Sequence, residues 1–402
     1  MIHPFRPNFD WHELLAVLRS GAGRSEFESA VAARVGSRYG IAFAYGRSGM
    51  IATFKALGLT QTEIVMPAYT CSAVAEAVLV SGNRPVFVDI GLADYNMDVS
   101  AIKDALTLQT RAIVATHMYG YPVDVERIRA VAGDDRIVII EDAALLGPIN
   151  SGPGGAGLRG DIAIFSFGPC KHLYTVRGGV MVTNSTELYE KIKAYRDREM
   201  NSLPLKVWAR RLARLVNGYI MLNASLLEVL DSVRRTGPMQ HVRDRLGLTK
   251  IDVPDDYATA FADFQGRVGL AQLSKFDSVL AGHRAWAEFY DRELRDVPGI
   301  RPAPIIAGAT YSHYTPLVER RDEIDFRQRM RAQGVDIEED ARSGYALPYM
   351  KPYRPYAKGP YPYAEQVARE VVHLPNYASL SATSARRVVE SVLHSLASSA
   401  RY

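Results

Sequence analysis

Seven short apolar runs in the first half of the chain, most of them nearly continuous, constrain the fold more than any other feature. They are IAFAYG (41–46), EIVMP (63–67), PVFVDI (85–90), AIVATH (112–117), RIVIIED (136–142), DIAIFSF (161–167) and GVMVTN (179–184). A strand covered on one face alternates apolar and polar residues, whereas a continuous apolar run of this length belongs to a strand covered on both faces. Between the first six lie segments of helical length, such as SGMIATFKALGL, TCSAVAEAVLVSG and DVERIRAVAG. Strands alternating with helices predict an α/β fold, a mostly parallel sheet with helices on both sides. One junction breaks the pattern. Only eleven residues, 168–178, separate the last two runs, with Gly168, Pro169 and Gly178 among them. A parallel crossover needs a dozen or more residues and usually a helix. The final run is therefore predicted to be antiparallel to its predecessor, giving a seven-stranded sheet with one reversed strand.

Lys171 sits in that tight junction, just beyond the carboxyl end of one strand, and Asp142 ends another. In open α/β sheets, ligands bind beyond the carboxyl ends of the strands. A carboxylate there is costly unless it meets a cation. Two readings stand at this point. One is a structural ion pair. The other is a lysine that forms a Schiff base with a carbonyl cofactor, while the aspartate keeps a pyridine nitrogen protonated; that pairing lets pyridoxal phosphate act as an electron sink. A further stretch, YGRSGMIATFKAL (45–57), runs from a strand end through Ser48-Gly49 into a helix. Helix N-termini bind phosphate through backbone N–H groups, although serine is also simply a good cap. Ser166, five residues before Lys171, offers another hydroxyl.

The rest of the chain is less regular. Residues 205–250 read as one or two amphipathic helices, basic at the start, packed on the domain or on a second subunit in preference to a membrane surface. Residues 258–296 carry a long helical period, and beyond PGIRPAP short strands and helices rich in Tyr and Pro follow. The expected organisation is a large domain over 1–257, with an insertion at about 205–250, and a small C-terminal α/β domain over 258–402. The net charge of +4 suits an anionic small molecule; it is too weak for nucleic acid, and no basic stripe is interleaved with aromatics. Two cysteines, Cys71 and Cys170, make no disulfide framework and point to a reducing cytoplasm. The N-terminus lacks the pattern of a signal peptide. No run reaches the ~18 apolar residues of a membrane span, and no spacing suits a metal. His117 reads as a packed, hydrogen-bonded histidine and Cys170 as a small buried packing residue.

Beyond these features, RSGMIATFKALGL, IVMPAYTCSAVAEAVLVSGNRPVFVDI, AIVATHMYGYPVDVERI, IIEDAA, GDIAIFSFGPCKHLYTVRGGVMVTN, FQGRVGLAQLSKFD and YPYAEQVAREVVHLPNYASLS together resemble the DegT/DnrJ/EryC1/StrS family of sugar aminotransferases, which depend on pyridoxal 5'-phosphate (PLP) and have the fold-type I architecture. The resemblance implies that Lys171 is the Schiff-base lysine and Asp142 the partner of the pyridine nitrogen. It implies that Ser48 and the backbone of Gly49 and Met50 hold the cofactor phosphate, with Ser166 assisting. Cys71 and Leu145 would flank the ring, and Tyr349, Lys351 and Arg177 would border the substrate. The implied reaction takes an amino group, usually from glutamate, to a keto-sugar carried on a nucleotide, in a homodimer, for a surface polysaccharide or a secondary metabolite.

The chain departs from the family pattern at several positions. Leu145 stands where Gln or His is common, and Cys71 where an aromatic usually stacks on the ring. Val176 and Arg177 replace a glycine and a glutamate. Ala258 and Ala260 replace the Asn and Arg that a neighbouring subunit usually extends, and LPYMK (347–351) replaces the family's substrate segment. Two alternatives follow. A PLP-dependent sugar dehydratase or lyase is one, and Lys171 argues against it because such relatives carry histidine there. A member that has lost catalysis and serves as a binding or regulatory subunit is the other, kept open by the departures.

Overall fold

A computed structural model describes residues 1–21, 23–149, 159–168, 170–222, 253–319, 325–337 and 346–397. The seven apolar runs form one sheet: β1 (Tyr39–Phe43), β2 (Glu63–Pro67), β3 (Arg84–Val88), β4 (Thr110–Thr116), β5 (Val138–Asp142), β6 (Ile162–Ser166) and β7 (Gly179–Thr183). Their spatial order is β1-β7-β6-β5-β4-β2-β3. β7 is antiparallel to both of its neighbours, and the remaining pairings are parallel. The short 168–178 junction thus reverses the chain within the sheet. Alternate residues of each strand enter different cores. Ala112 and Val114 of β4 pack with Ile64, Met66 and Ile140, while Ile113 and Ala115 pack with Val65, Val86 and Ile139. Burial on both faces is why these strands read as continuous apolar runs.

The helices of this region are α1 (Trp11–Leu18), α2 (Gly23–Arg34), α3 (Gly46–Ala56), α4 (Ser72–Val80), α5 (Val99–Ala105), α6 (Val125–Ala132), α7 (Thr186–Glu199) and α8 (Leu205–Leu222). α1 is held by a capping box. Asp10 accepts the His12 N–H at 2.8 Å, and Glu13 reaches back to the Asp10 N–H at 2.7 Å. α8 covers the start of the 205–250 insertion, and residues 223–252 lie outside the described residues. One face of α8 is docked through a fully buried cation. Arg211 donates to the Ala260 carbonyl at 2.7 Å and the Thr259 hydroxyl at 2.6 Å, and pairs with Asp256 at 3.3 Å. Among the described residues no helix is long and apolar enough to cross a membrane.

The helical period expected over 258–296 resolves into two helices, α9 (Asp263–Ser274) and α10 (Phe276–Leu294). Lys275 breaks the ladder with φ −111° and ψ 6°, and its ammonium pairs with Glu13 at 2.6 Å and Asp10 at 3.1 Å. The two helices have different destinations. α9 lies on α2 at a crossing that glycines alone permit: a Cβ on Gly266 would fall 2.1 Å from the Gly23 carbonyl oxygen. α10 begins with buried Phe276, whose ring meets His172 and carries the Arg34 guanidinium 4.9 Å from its centroid. A single straight axis cannot follow both surfaces.

Among the described residues the remaining strands and α-helices are β8 (Ile300–Arg301) antiparallel to β9 (Leu317–Val318), α11 (Phe326–Ala332), α12 (Pro362–Glu370) and α13 (Ala382–Ala397). Three strips join this part to the sheet's carboxyl edge. The Leu347 N–H donates to Ala68 O at 2.9 Å, beyond β2. The N–H groups of Thr310 and Ser312 donate to the carbonyls of Gly120 and Tyr119 at 3.0 Å, beyond β4. The Tyr95 hydroxyl donates to Thr315 O at 2.9 Å. Gly120 is required there. Its φ is +88°, and a Cβ would lie 2.3 Å from the Thr310 hydroxyl.

Candidate active site

The crevice lies at the carboxyl ends of β2, β4, β5 and β6. Asp142 is the last residue of β5, register-paired with Thr116 of β4 and Ile164 of β6. It is 6 % exposed, and its carboxylate accepts the Ala144 N–H at 3.1 Å. Burial pushes this carboxyl above the usual carboxylate range, while the Lys171 ammonium pulls it back. Lys171 follows β6 by five residues and is half-buried. The preceding Cys170 holds a left-handed backbone, φ +63°, which turns the chain sharply at the lysine. Cys170 itself is half-buried, less enclosed than a core packing residue.

Cys71, at the N-cap of α4, is reached by solvent. Crowding by surrounding protein atoms still pushes its thiol up, against the pull of Lys171 and Arg47. The charges felt at Cys71 and Asp142 therefore bring Cys71, Asp142 and Lys171 to one crevice, with Cys71 on its open wall.

The phosphate-type end forms where α3 meets β6 and β7. α3 starts at Gly46 behind Tyr45, which offers no side-chain cap. A Cβ on Gly46 would lie 3.5 Å from the Ser166 hydroxyl, and one on Gly179 would lie 2.6 Å from the Gly46 nitrogen. The glycines thus let β7 and the Ser166 side chain close on the first turn of α3. Ser48 is fully buried and donates its hydroxyl to Tyr257 O at 2.6 Å. The N–H of Gly49 bonds back to Tyr45 O at 3.3 Å, and the Met50 side chain is in the core. Arg177 stands beside the same helix start, its guanidinium 5.8 Å from the centroid of the Tyr45 ring. Val176 carries it in a left-handed conformation, φ +71°. That costs a β-branched residue about 1–2 kcal/mol, offset by packing against Leu215 and Val268.

The other expected site residues differ in burial, Leu145 enclosed and Tyr349 and Lys351 exposed. Leu145 is buried in the core, its carbonyl accepting the Thr310 hydroxyl at 3.4 Å. The Tyr349 hydroxyl bonds to the Tyr361 backbone at 3.3 and 3.4 Å, and Lys351 is exposed. His117 accepts the Val123 N–H on Nδ1 at 3.1 Å, which leaves Nε2–H to donate to Glu141 at 3.0 Å.

Some neighbours were not read from the sequence. Tyr45 bonds Asp256 at 2.6 Å and is pushed up to about 12 by burial and that carboxylate. His172 and His283, 4.7 Å apart between ring centroids, are buried beside Lys171. Their Nε2 and Nδ1 atoms meet the carbonyls of Thr310 and Tyr311 at 3.1 Å. Burial holds both imidazoles well below the ordinary histidine range, His283 at about 4. KH at 171–172 was the one local signal for this pair.

The sequence profile of the DegT/DnrJ/EryC1/StrS aminotransferase family matches residues 11–222 and 240–393. The chain belongs to the DegT/DnrJ/EryC1/StrS aminotransferase family. A UDP-N-acetyl-3-dehydro-alpha-D-glucosamine 3-aminotransferase of Acidithiobacillus ferrooxidans is 37% identical over 172 residues, 42% of this chain and 47% of that protein. GDP-perosamine synthase of Escherichia coli O157:H7 is 24% identical over 369 residues, covering 91% of this chain and 88% of that one. The crystal structure of the aminotransferase TlmJ from Streptoalloteichus hindustanus matches with a TM-score of 0.78 over 100% of both chains, at 23% identity, a likeness of fold. DegT/DnrJ/EryC1/StrS aminotransferases are PLP-dependent. The residues present fit that group: an amine and a buried carboxylate share the crevice, and an uncapped helix start lies against a serine hydroxyl.

The same carboxylate predicts a pH-dependent cost. Below the ordinary carboxylate range, around pH 4, Asp142 is protonated in both folded and unfolded chains. As pH rises, the unfolded chain ionises first, and the fold loses stability as pH climbs through the raised folded-state value. Cofactor-free Asp142→Asn is expected to melt at a higher temperature than wild type at pH 7 and with it at about pH 3. Scanning calorimetry at the two pH values checks this. A lower melting temperature for the variant at pH 7 would show that the charge stabilises the empty site.

Proposed function

We propose that this chain transfers the amino group of glutamate to a keto-sugar carried on a nucleotide, using PLP held at Lys171. The observation that carries the reading is the buried Asp142 carboxylate within the field of the Lys171 ammonium, beyond the carboxyl ends of neighbouring strands. Likeness to the UDP-sugar 3-aminotransferase of A. ferrooxidans and to the GDP-perosamine synthase of E. coli supports the acceptor class.

When bound, PLP supplies the electron sink that stabilises a carbanion. The protein's part is positional and protonic. The start of α3 and the Ser166 hydroxyl bind phosphate, with Arg177 adding positive charge beside them. Asp142 holds a proton on the pyridine nitrogen, which keeps the ring cationic. Lys171 Nζ takes and returns the proton at the reacting carbon. His172 and His283, held neutral by burial, add no charge of their own beside the lysine.

The test is a panel of 3-keto and 4-keto nucleotide sugars incubated with glutamate and read by mass. An amino-sugar nucleotide is expected from at least one. A yellow, loaded protein that aminates none of them would contradict the reading.

A homodimer is part of the same proposal. α1 and α8 touch, and together they expose Trp11, Leu15, Leu18, Leu205, Trp208 and Val216. Apolar groups of this size on adjacent helices suit burial against a second copy. Light scattering of the loaded protein at micromolar concentration should give twice the chain mass; a monomer would refute the assembly.

A further inference from the structure

β5 ends in two consecutive acids, Glu141 and Asp142, and only Asp142 has a part in the proposed chemistry. Alternate residues of a strand face opposite sides of its sheet. Asp142 shares the side of Ile140, and Glu141 shares that of Ile139, whose cores lie on opposite faces. Glu141 is 1 % exposed, and both of its carboxylate oxygens are taken. Oε1 accepts the N–H groups of Arg159 and Gly160, at 2.5 and 2.6 Å, where the chain enters β6. Glycine is required at 160, because a Cβ there would lie 2.7 Å from the Ile139 carbonyl oxygen. Oε2 accepts the Nε2–H of His117, just beyond the end of β4, at 3.0 Å. The tautomer follows from Nδ1, which accepts the Val123 N–H at 3.1 Å. All three partners of Glu141 are donors. The position therefore needs an acceptor at both oxygens, which a carboxylate supplies and an amide does not.

The same histidine holds the neighbouring acid. The His117 backbone N–H donates to the Asp142 carbonyl at 3.0 Å, and the Ala143 N–H donates to Ile164 O of β6 at 2.9 Å. The Asp142 carboxylate is held more lightly: among the described residues its one hydrogen bond is from the Ala144 N–H at 3.1 Å. An aspartate side chain is short, so the backbone at the end of β5 decides where its carboxylate stands. Glu141 ties that backbone to β4 through His117 and to β6 through Arg159 and Gly160. We propose that Glu141 is a positioning residue for Asp142: its carboxylate fixes the end of β5 between β4 and β6, and so sets the reach of Asp142 to the pyridine nitrogen of the bound cofactor. The proposal rests on the aminotransferase reading above and adds a residue on the opposite face of the sheet that touches neither substrate nor cofactor. Misplacing a reacting group by about an ångström can cost on the order of a hundredfold in rate, which gives a buried charge behind the crevice a functional use.

The test uses the full-length protein loaded with PLP whose pyridine nitrogen is isotope-labelled, and two variants. Glu141→Gln sets an amide N–H against at least one donor whichever way it is turned. His117→Asn is milder: its side-chain oxygen reaches as far as Nδ1 and can still accept the Val123 N–H, but nothing replaces the donor at Nε2. By nuclear magnetic resonance, the wild-type nitrogen should be that of a protonated pyridine. In both variants it should move toward the unprotonated position, while PLP affinity stays that of wild type. In single turnover, Glu141→Gln should slow the glutamate half-reaction by about tenfold or more. Added to Asp142→Asn it should slow it by less than about twofold, because the effect passes through that carboxylate. Equal slowing in both backgrounds, or an unmoved nitrogen resonance, would make Glu141 a structural residue only and overturn the proposal. If Glu141→Gln does not fold, His117→Asn carries both measurements; if neither folds, the tie serves the fold and the proposal falls. A protonated, reactive wild type with unaltered variants removes the positioning role alone. A wild type that carries PLP on Lys171 yet does not react with glutamate removes the aminotransferase reading as well.

Discussion

Asp142→Asn should slow the glutamate half-reaction by about a hundredfold or more, on the order of 3 kcal/mol, while the cofactor stays bound. Asparagine keeps the shape of the side chain and can still accept the Ala144 N–H that Asp142 accepts at 3.1 Å. It cannot favour a protonated pyridine. A neutral ring is a poor electron sink, so the loss falls on the chemical step. The phosphate end, built from the α3 start and Ser166, is unaffected. Single-turnover absorbance with glutamate, wild type against variant, measures the effect. A near-normal rate would make Asp142 a structural partner of Lys171 and nothing more. The same substitution is expected to stabilise the cofactor-free protein at pH 7, because burial raises the carboxyl against its ionisation. Stability and activity then move in opposite directions at one residue, as expected where a site is strained for function.

Lys171→Ala should have the larger effect: loss of at least about a thousandfold in the same half-reaction, since the amine both anchors the cofactor and carries the proton. Folding should survive. Lys171 is half-buried in a loop, where it lines a pocket with His172 and His283. The melting temperature should remain within a few degrees of wild type, equivalent to about 1 kcal/mol or less. A variant that retained measurable turnover with glutamate would place the essential amine elsewhere.

Much of the sheet was legible because its strands are covered on both faces, so each appears as a continuous apolar run. The reversal at β7 was legible because eleven residues cannot carry a parallel crossover. The chemistry at Asp142 and Lys171 was legible for a related reason: charged residues ending buried strands have few structural excuses. Other features were hidden. α1 is eight residues long, and its only sequence signature is the Asp10 and Glu13 capping box. The break at Lys275 is invisible to periodicity, which counts residues along an axis and cannot report that the axis turns. Arg211 looked like part of the basic start of an amphipathic helix, yet it is wholly buried because Asp256, Thr259 and Ala260 return from across the insertion to bond it.

The central claim is that Lys171 holds PLP through a Schiff base. Reduction of the purified, yellow protein with borohydride, followed by peptide mapping by mass, tests it most directly. The account predicts a phosphopyridoxyl mass on the peptide containing Lys171, about one per chain, absent from Lys171→Ala. A label on any other lysine, or an undiminished label in Lys171→Ala, would contradict it.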